Sequence, residues 1–255
     1  MNSLKIFNNS ALTAMLMLLV CPGLVSAKLL LSSKLSAQAS SSYYLQTSSQ
    51  LKDPYKKFDL ALQAYQRSDY KSAAAIFLDL AKNGHMESQF YMGILFDSGS
   101  GVEVDNMQSA MWYEKAAKQG HAEAQYNIAI AYATGEGTPI KMRKAIYWMT
   151  KAALSGNVDS QYNLGLIYIM GDGVARNLEE GILWWQLAAK NGDQMAQYNL
   201  GMMYLQGAGV DSDICEASRW WSLSAENGNR QAQQALMALK QTHQQHGCLD
   251  MVSIQ

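Results

Sequence analysis

Side chains that carry out catalysis are few and scattered in this sequence. Ser49 and Lys52 form a Ser-x-x-Lys pattern, in which a lysine activates a serine nucleophile for acyl transfer. The Ser-Asp-Asn and Lys-Thr-Gly sequences that complete such a site are missing, and no Ser/His/Asp or Cys/His set replaces them. The sequence therefore predicts no catalytic residue and a protein that is not an enzyme.

Residues that bind metals or phosphates are equally sparse. His243, His246 and Cys248 lie close together, but a metal site needs three or four converging ligands, and an oxidised Cys248 would not be one. His85 and His121 follow glycines at equivalent points of the chain and are interpreted as turn residues. The Gly-x-Gly pairs lack the preceding strand and the Gly-Lys-Ser/Thr end of a phosphate loop, so they are also interpreted as turns. We predict no metal and no cofactor.

The composition favours a helical protein with a sizeable core. The 255 residues carry a formal net charge of −1, which argues against nucleic acid because its binding depends on clustered Lys and Arg. Hydrophobic residues make up 49 % of the chain, and only 3 Pro accompany 19 Gly. This balance favours helices that are separated by glycines.

Residues 1–27 have the pattern of a secretory signal peptide. A weakly positive start precedes an apolar run over 11–20, and small residues lead up to Ala27. The run is too short to anchor the chain across a bilayer. Lipid attachment at Cys21 is the weaker alternative, because a large residue precedes it. We expect cleavage after Ala27, a periplasmic or secreted protein, and a flexible Ser- and Gln-rich segment over 28–52.

A period of 36 residues organises the rest of the chain. Glutamines, glycines and tryptophans recur at this spacing with no insertion or deletion across four units, which indicates a repeat architecture. The recurring residues are Gln89, Gln125, Gln161, Gln197 and Gln233; Gly84, Gly120, Gly156, Gly192 and Gly228; and Trp112, Trp148, Trp184 and Trp220. Neighbouring alanine pairs favour core packing for the tryptophans over a ligand-stacking ladder.

Each unit has the pattern of two helices joined by a Gly-x-Gly loop. In the unit 158–193, Gly171 ends the first helix and Asn177 caps the second. A glycine within the first helix, Gly165, costs about 1 kcal/mol against alanine, so its recurrence predicts a close approach of two helices there. In another unit Lys141 replaces the capping residue, and that second helix is expected to start less firmly.

The sequence therefore predicts an all-α fold, an α-solenoid of stacked antiparallel helix pairs with about eleven helices from Tyr55 onward. Such a stack forms a superhelix with a concave groove. The predicted divisions are a tetratricopeptide-like hairpin over 53–85, repeats over 86–121, 122–157, 158–193 and 194–229, a capping helix over 230–246 and a tail over 247–255.

Two stretches of the chain resemble the Sel1-like repeat family. They are AEAQYNIAIAYATGEG at 122–137 and QMAQYNLGMMYLQGAGV at 194–210, and second halves of the expected form W-x-x-x-A-A-x-x-G lie at 148–156 and 184–192. The segment 65–70 is similar to the opening hairpin of that family and of tetratricopeptide repeats. The resemblance covers about 55–240 and implies an adaptor or scaffold. A few exported relatives are linked to penicillin or cell-wall precursor binding.

The first helix of each unit is the expected binding surface, because in tetratricopeptide-like stacks this helix faces the groove. Asn amides both donate and accept hydrogen bonds and so suit a peptide backbone, while Tyr rings add contact area with few rotors to immobilise. The candidate groove residues are Tyr126, Asn127, Tyr162, Asn163, Tyr198 and Asn199, with Glu87, Glu123 and Asp159 as an acidic rim. The alternative is packing between repeats, which we favour for the tyrosines and leave open for the asparagines.

These observations favour an exported adaptor or scaffold that binds a protein or peptide in a bacterial-type cell envelope. Two alternatives remain. One is a binder or hydrolase of cell-wall precursors or β-lactams, and the other is a structural subunit of a secretion, polysaccharide-export or flagellar-motor complex. Contact with a membrane is expected only through a partner, and the sequence leaves the oligomeric state open.

Two cysteines would remain after signal cleavage, and an even number in an oxidising compartment favours a disulfide. Cys215 lies at the start of the last unit's second helix, and the capping helix is expected to run back antiparallel to that helix. Its end therefore returns toward Cys215 and brings Cys248 near. We predict a Cys215–Cys248 disulfide that ties down the cap.

Overall fold

The computed structural model describes residues 40–242, and within that range it contains twelve helices and no strand. The first helix, α1, spans 40–50. The other eleven have 13 residues each: α2 Pro54–Gln66, α3 Tyr70–Lys82, α4 Met86–Ser98, α5 Asn106–Lys118, α6 Ala122–Thr134, α7 Met142–Leu154, α8 Val158–Met170, α9 Leu178–Lys190, α10 Gln194–Gln206, α11 Ile214–Glu226 and α12 Arg230–Thr242.

From α2 to α12, every two consecutive helices pack against each other. Short loops reverse the chain between them, so neighbours run antiparallel. The predicted all-α solenoid of stacked helix pairs is confirmed, and so are the eleven helices after residue 53. We call α4, α6, α8 and α10 the first helices of the repeats, and α5, α7, α9 and α11 the second helices.

Glycine ends every first helix. Gly99, Gly135, Gly171 and Gly207 have φ values of +69°, +85°, +77° and +66°, and each N–H bonds to a carbonyl four residues earlier. Residues with a Cβ rarely adopt this left-handed conformation, so the repeated glycine fixes where the chain turns.

Side-chain caps begin three of the four second helices. Asp105, Asn177 and Asp213 each accept a hydrogen bond from a backbone N–H of the first turn. Lys141, at the start of α7, makes no side-chain cap bond, as its sequence led us to expect. A missing cap of this kind costs a helix about 1 kcal/mol.

An aromatic ring explains the glycine within the first helices. A Cβ added at Gly165 would overlap the ring of Trp185, a residue of the second helix whose side chain packs on the first helix. Gly93 and Tyr113 form the same pair, as do Gly201 and Trp221. The two helices therefore approach closely at Gly165, as predicted: the ring of Trp185 lies against it, and a Cβ built at Gly181 of α9 would lie 2.9 Å from the Gly165 carbonyl oxygen.

A ladder of buried glutamines joins the units. Each Nε2 donates to the carbonyl eight residues earlier, which belongs to the preceding helix. The bonds are Gln89 to Ala81 at 3.1 Å, Gln125 to Ala117 at 3.1 Å, Gln161 to Ala153 at 3.0 Å and Gln197 to Ala189 at 3.0 Å. The 36-residue recurrence of Gln from 89 to 197 therefore reflects one hydrogen bond that is repeated at four junctions.

Helix α1 corrects the prediction of a flexible segment over 28–52. Tyr44 is 1 % exposed and packs with Leu60 and Phe77, and the hydroxyl of Ser41 lies 2.6 Å from that of Ser72. Burial of one aromatic ring outweighs the low helix propensity of the serines around it. Residues 28–39 lie outside the described range.

Candidate partner-binding groove

The six predicted groove residues occupy equivalent positions on three first helices. His121, Asn157 and Asp193 cap the N-termini of α6, α8 and α10 through the same side-chain hydrogen bond, so these helices start in register. The Tyr-Asn pairs then fall on the second turn of each helix, and all six side chains are half-buried. We call the surface formed by α4, α6, α8 and α10 the first-helix face.

A cavity of about 240 Å³ opens on this face between α4, α5 and α6, and we call it the α4–α6 cleft. Its lining residues are Asp97, Asn106, Ser109, Ala110, Tyr113, Tyr126, Asn127, Ile130, Ala131 and Glu136. Of the six predicted residues, only Tyr126 and Asn127 line it. The prediction missed Tyr113 and Glu136, which belong to the second helix and to the loop.

Tyr113 reaches the cleft because Gly93 leaves room for its ring. It is 6 % exposed, and burial raises the pKa of its phenol to about 12, with a further rise from the carboxylate of Asp97. Hydrogen bonds with Asn127 and Ser109 oppose the rise in this pKa. Tyr113 is therefore a neutral hydrogen-bonding group at physiological pH and not a general base.

Asn163 bonds within the stack of repeats. Its Nδ2 donates to the hydroxyl of Tyr126 on the preceding first helix at 3.5 Å. Burial raises the pKa of Tyr126, Asp159 adds to the rise, and the bond from Asn163 lowers it. Asn127 and Asn163 thus each form a hydrogen bond with a tyrosine of another helix, so part of their role is structural.

Tyr162 and Tyr198 have a packing role. Their rings stack against Trp185 and Trp221 at centroid distances of 6.3 and 6.4 Å. The two indoles donate to the backbone carbonyls of the same tyrosines at 3.1 and 3.0 Å. These contacts support the structural interpretation of the tyrosines in the last two repeats, and leave Tyr126 as the one that lines a cleft.

The two histidines are helix caps with different surroundings. His121 Nδ1 accepts from the Ala124 N–H at 3.2 Å, its Nε2 lies 3.1 Å from Glu87, and its ring stacks on Phe90 at 4.1 Å. Because Nδ1 accepts, Nε2 carries the hydrogen and donates to Glu87. His85 caps α4 through Ser88 in the same way. One member of the predicted acidic rim, Glu87, is thus held by a neighbouring repeat.

Other sequence candidates do not converge on a site. Ser49 is exposed at the end of α1 and donates to the Gln46 carbonyl at 2.7 Å. No group of three potential metal ligands occurs among residues 40–242. His243, His246 and Cys248 lie outside the described range. Within that range no helix is long and apolar enough to cross a membrane.

Cys215 lies exposed in the first turn of α11, where its N–H donates to the capping carboxylate of Asp213 at 2.8 Å. Its predicted partner, Cys248, falls outside the described residues, so the pairing stays a prediction. The predicted signal peptide over 1–27 also lies outside them.

A family comparison decides the class of protein. The model of the Sel1 repeat matches four consecutive segments, at 87–121, 122–157, 158–193 and 194–229. Together these cover more than half of the 255 residues. The chain belongs to the Sel1 repeat family. Proteins built from Sel1 repeats generally mediate protein–protein interactions and are typically non-enzymatic scaffolds.

Solved structures show the same solenoid. A protective antigen of uropathogenic Escherichia coli strains with an SLR fold is 33 % identical, with a TM-score of 0.71 over 74 % of this chain and 42 % of the antigen. The chain thus spans about two fifths of that protein. A Sel1 repeat protein of Oxalobacter formigenes is 27 % identical, with a TM-score of 0.65 over 73 % of this chain and 75 % of the other. No curated protein matched the chain.

Proposed function

We propose that this Sel1 repeat protein is an exported adaptor, which binds a protein or peptide partner on its first-helix face with the α4–α6 cleft at the centre of contact. The observation that carries the proposal is the cleft itself. It combines half-buried Tyr126 and Asn127 with the neutral phenol of Tyr113. Groups of this kind bind the backbone and side chains of a peptide through hydrogen bonds and ring contacts, and they catalyse no reaction on it.

The size of the cleft favours a partner segment over a small metabolite. Pockets that enclose small ligands measure about 300 to 1,000 Å³, so a cavity of about 240 Å³ suits one or two side chains of a longer chain. The rest of that segment would lie along α6 and α8, where Asn163 is half-buried. The apolar run over 11–20 and the small residues before Lys28 support export.

Site-specific photo-cross-linking in the native host tests the binding surface. A benzoylphenylalanine at Asn106, which is exposed at the cleft, should cross-link one protein in stoichiometric yield. The same probe at Leu154, 73 % exposed at the end of α7, is the control and should not. Asn127→Ala should lower the yield from position 106, and because it also removes a hydrogen bond to Tyr113, its melting temperature is measured in parallel to show that the variant is folded at the assay temperature.

The outcomes separate the alternatives. Equal adducts from both positions, or an Asn127→Ala variant that still cross-links fully, would contradict a groove-binding adaptor. Adducts with peptidoglycan fragments would favour the cell-wall binder. Export is tested by the N-terminal sequence of the purified protein, which should begin at Lys28; an intact Met1 or a lipid on Cys21 would contradict soluble export.

A further inference from the structure

The first helices carry charge of one sign only. The first helices contain no Lys or Arg, and their charged residues are Glu87, Asp97, Glu123 and Asp159. The second helices carry both signs: the basic residues are Lys115, Lys118, Arg143, Lys144, Lys151, Lys190 and Arg219, and the acidic residues are Glu114, Glu179, Glu180, Glu216 and Glu226. The first-helix face therefore offers negative charge only, although the whole chain is nearly neutral.

The α4–α6 cleft concentrates this negative charge. Asp97 and Glu136 are exposed at its lining, and neither forms a salt bridge with any described residue. By contrast, Glu87 is held by His121 at 3.1 Å and Glu114 by Lys118 at 3.3 Å. The two cleft carboxylates are thus available for a charge that the partner supplies.

The aromatic walls of the cleft favour the same kind of occupant. Half-buried Tyr126 lines it beside the carboxylates, and the face of a tyrosine ring attracts a cation, whereas the ring of Tyr113 is buried against Gly93. A planar guanidinium suits such a site, because it stacks on rings and donates two parallel hydrogen bonds to one carboxylate. An acidic side chain would meet repulsion from both carboxylates and find no basic group in the lining.

We propose that the partner binds through an extended basic segment, with one Arg or Lys side chain entering the α4–α6 cleft between Asp97 and Glu136. This inference rests on the proposed function and names the chemistry of the partner. The remaining basic residues of the segment would pass along the row of Glu123 and Asp159.

Nuclear magnetic resonance titration with defined peptides tests the inference on the purified protein. The probe is an acetylated, amidated octapeptide of Ala and Ser with one central Arg, and the matched probes carry citrulline or Glu there. The Arg peptide should shift the side-chain amide of Asn127, and citrulline, which lacks the charge, should bind about tenfold more weakly. Raising the salt concentration should weaken the binding of the Arg peptide more than that of the other two peptides.

Paired variants locate the binding. Asp97→Asn with Glu136→Gln should weaken the Arg peptide about tenfold and leave the citrulline peptide unchanged. The control variant, Glu179→Gln with Glu226→Gln, removes two exposed carboxylates from second helices. It should bind the Arg peptide and the citrulline peptide as tightly as the parent does. Equal binding of the Arg and citrulline peptides, preference for the Glu peptide, or no shift at the cleft would overturn the proposal.

The cross-linking experiment distinguishes the two proposals. If the cross-link from position 106 persists in the Asp97→Asn, Glu136→Gln protein, the groove still binds its partner, but not through a cation. If position 106 gives no selective cross-link in the unmodified protein while the Arg peptide binds, the cleft takes cations and the adaptor role fails.

Discussion

Single side chains show where the repeat is incomplete. Gln119, Asn191 and Asn227 end three of the second helices and donate to the ladder glutamines Gln89, Gln161 and Gln197 at 2.7, 2.9 and 3.0 Å. Ser155 occupies the equivalent position in the remaining repeat and is too short to reach. The Oε1 of Gln125 is accordingly buried without a hydrogen-bond partner among the described residues.

Replacing Ser155 by Asn should therefore stabilise the protein. Ser155 has φ −84° and ψ 5°, close to the −88° and 11° of Asn191, so the new amide would point toward Gln125. Satisfying the buried carbonyl should raise the free energy of unfolding by about 1 kcal/mol, measured by urea denaturation. In a Gln125→Ala background the gain should vanish. A gain of the same size there would show that Asn merely suits a helix end.

His85 is a second position where one side chain controls stability, here through pH. Burial lowers its pKa from the ordinary 6.5, and Glu87 only partly opposes this, so protonation favours the unfolded chain. The stability it contributes is fully present above about pH 6.5 and is lost as the pH falls through the lowered pKa of the folded state. His85→Asn keeps the cap, as Asn157 does in α8, without the titrating group.

The His85→Asn protein should accordingly lose less melting temperature between pH 7.5 and pH 5 than the parent. His85→Ala, which removes the cap as well, should be less stable than the parent at pH 7.5. Parallel pH profiles for the parent and the Asn variant would contradict a titrating role for His85.

At the level of helices, each repeat pairs a small residue with a large one. The pairs Gly93–Tyr113, Gly165–Trp185 and Gly201–Trp221 each join residues 20 positions apart. In the unit that has Ala129 instead of Gly, the residue 20 positions later is Met149, and the two belong to one buried cluster. A flexible Met accommodates the added methyl group where an aromatic ring does not.

This pairing predicts compensation between two substitutions. Gly165→Ala alone should destabilise the protein by about 1 to 3 kcal/mol, because overlap with Trp185 exceeds the roughly 1 kcal/mol gained in helix propensity. The double variant with Trp185→Met should be more stable than the sum of the two single destabilisations predicts. A double-mutant cycle of urea denaturation measures this difference. Strictly additive effects would mean that the ring and the missing Cβ do not interact.

The sequence predicted the helices well because most boundaries have a local chemical cause, the start of α7 at Lys141 being an exception. Gly99 and its equivalents end helices, and Asp105 and its equivalents begin them, through bonds within a few residues. Helix α1 was missed because its stability depends on Tyr44 meeting Leu60 and Phe77, which are distant in sequence. Tyr113 was missed in the cleft for a related reason, since only the 20-residue pairing with Gly93 signals where its ring lies.

For the whole molecule, the architecture makes the two ends weaker than the middle. A repeat in a solenoid contacts only its neighbours, so α12, the last helix of the part of the chain that the structure describes, packs there against α11 alone. Helix α12 packs on α11 through Trp221, Leu236 and Leu239, which form a cluster smaller than that of the central repeats. The C-terminal end is therefore where a covalent tie would add most to the stability of the stack.

The predicted Cys215–Cys248 disulfide would provide that tie. Cys215 lies at the start of α11, and α12 runs back antiparallel to that helix, so Thr242 lies toward the same end of the pair as Cys215. Once a signal peptide containing Cys21 is removed, Cys248 is the other cysteine of the chain. Closing this loop contributes roughly 3 to 4 kcal/mol in the chain-entropy model, and less if the tail is already ordered.

Thiol counting on the denatured, unreduced protein should find no free cysteine, and peptide mapping should link 215 to 248. Cys215→Ser with Cys248→Ser should lower the melting temperature, and amide hydrogen exchange should rise in α11 and α12 while α6 and α7 change little, because fraying of a terminal repeat is local. Two free thiols would refute the bond. A double variant that melts with the parent would show that the bond exists without stabilising the cap.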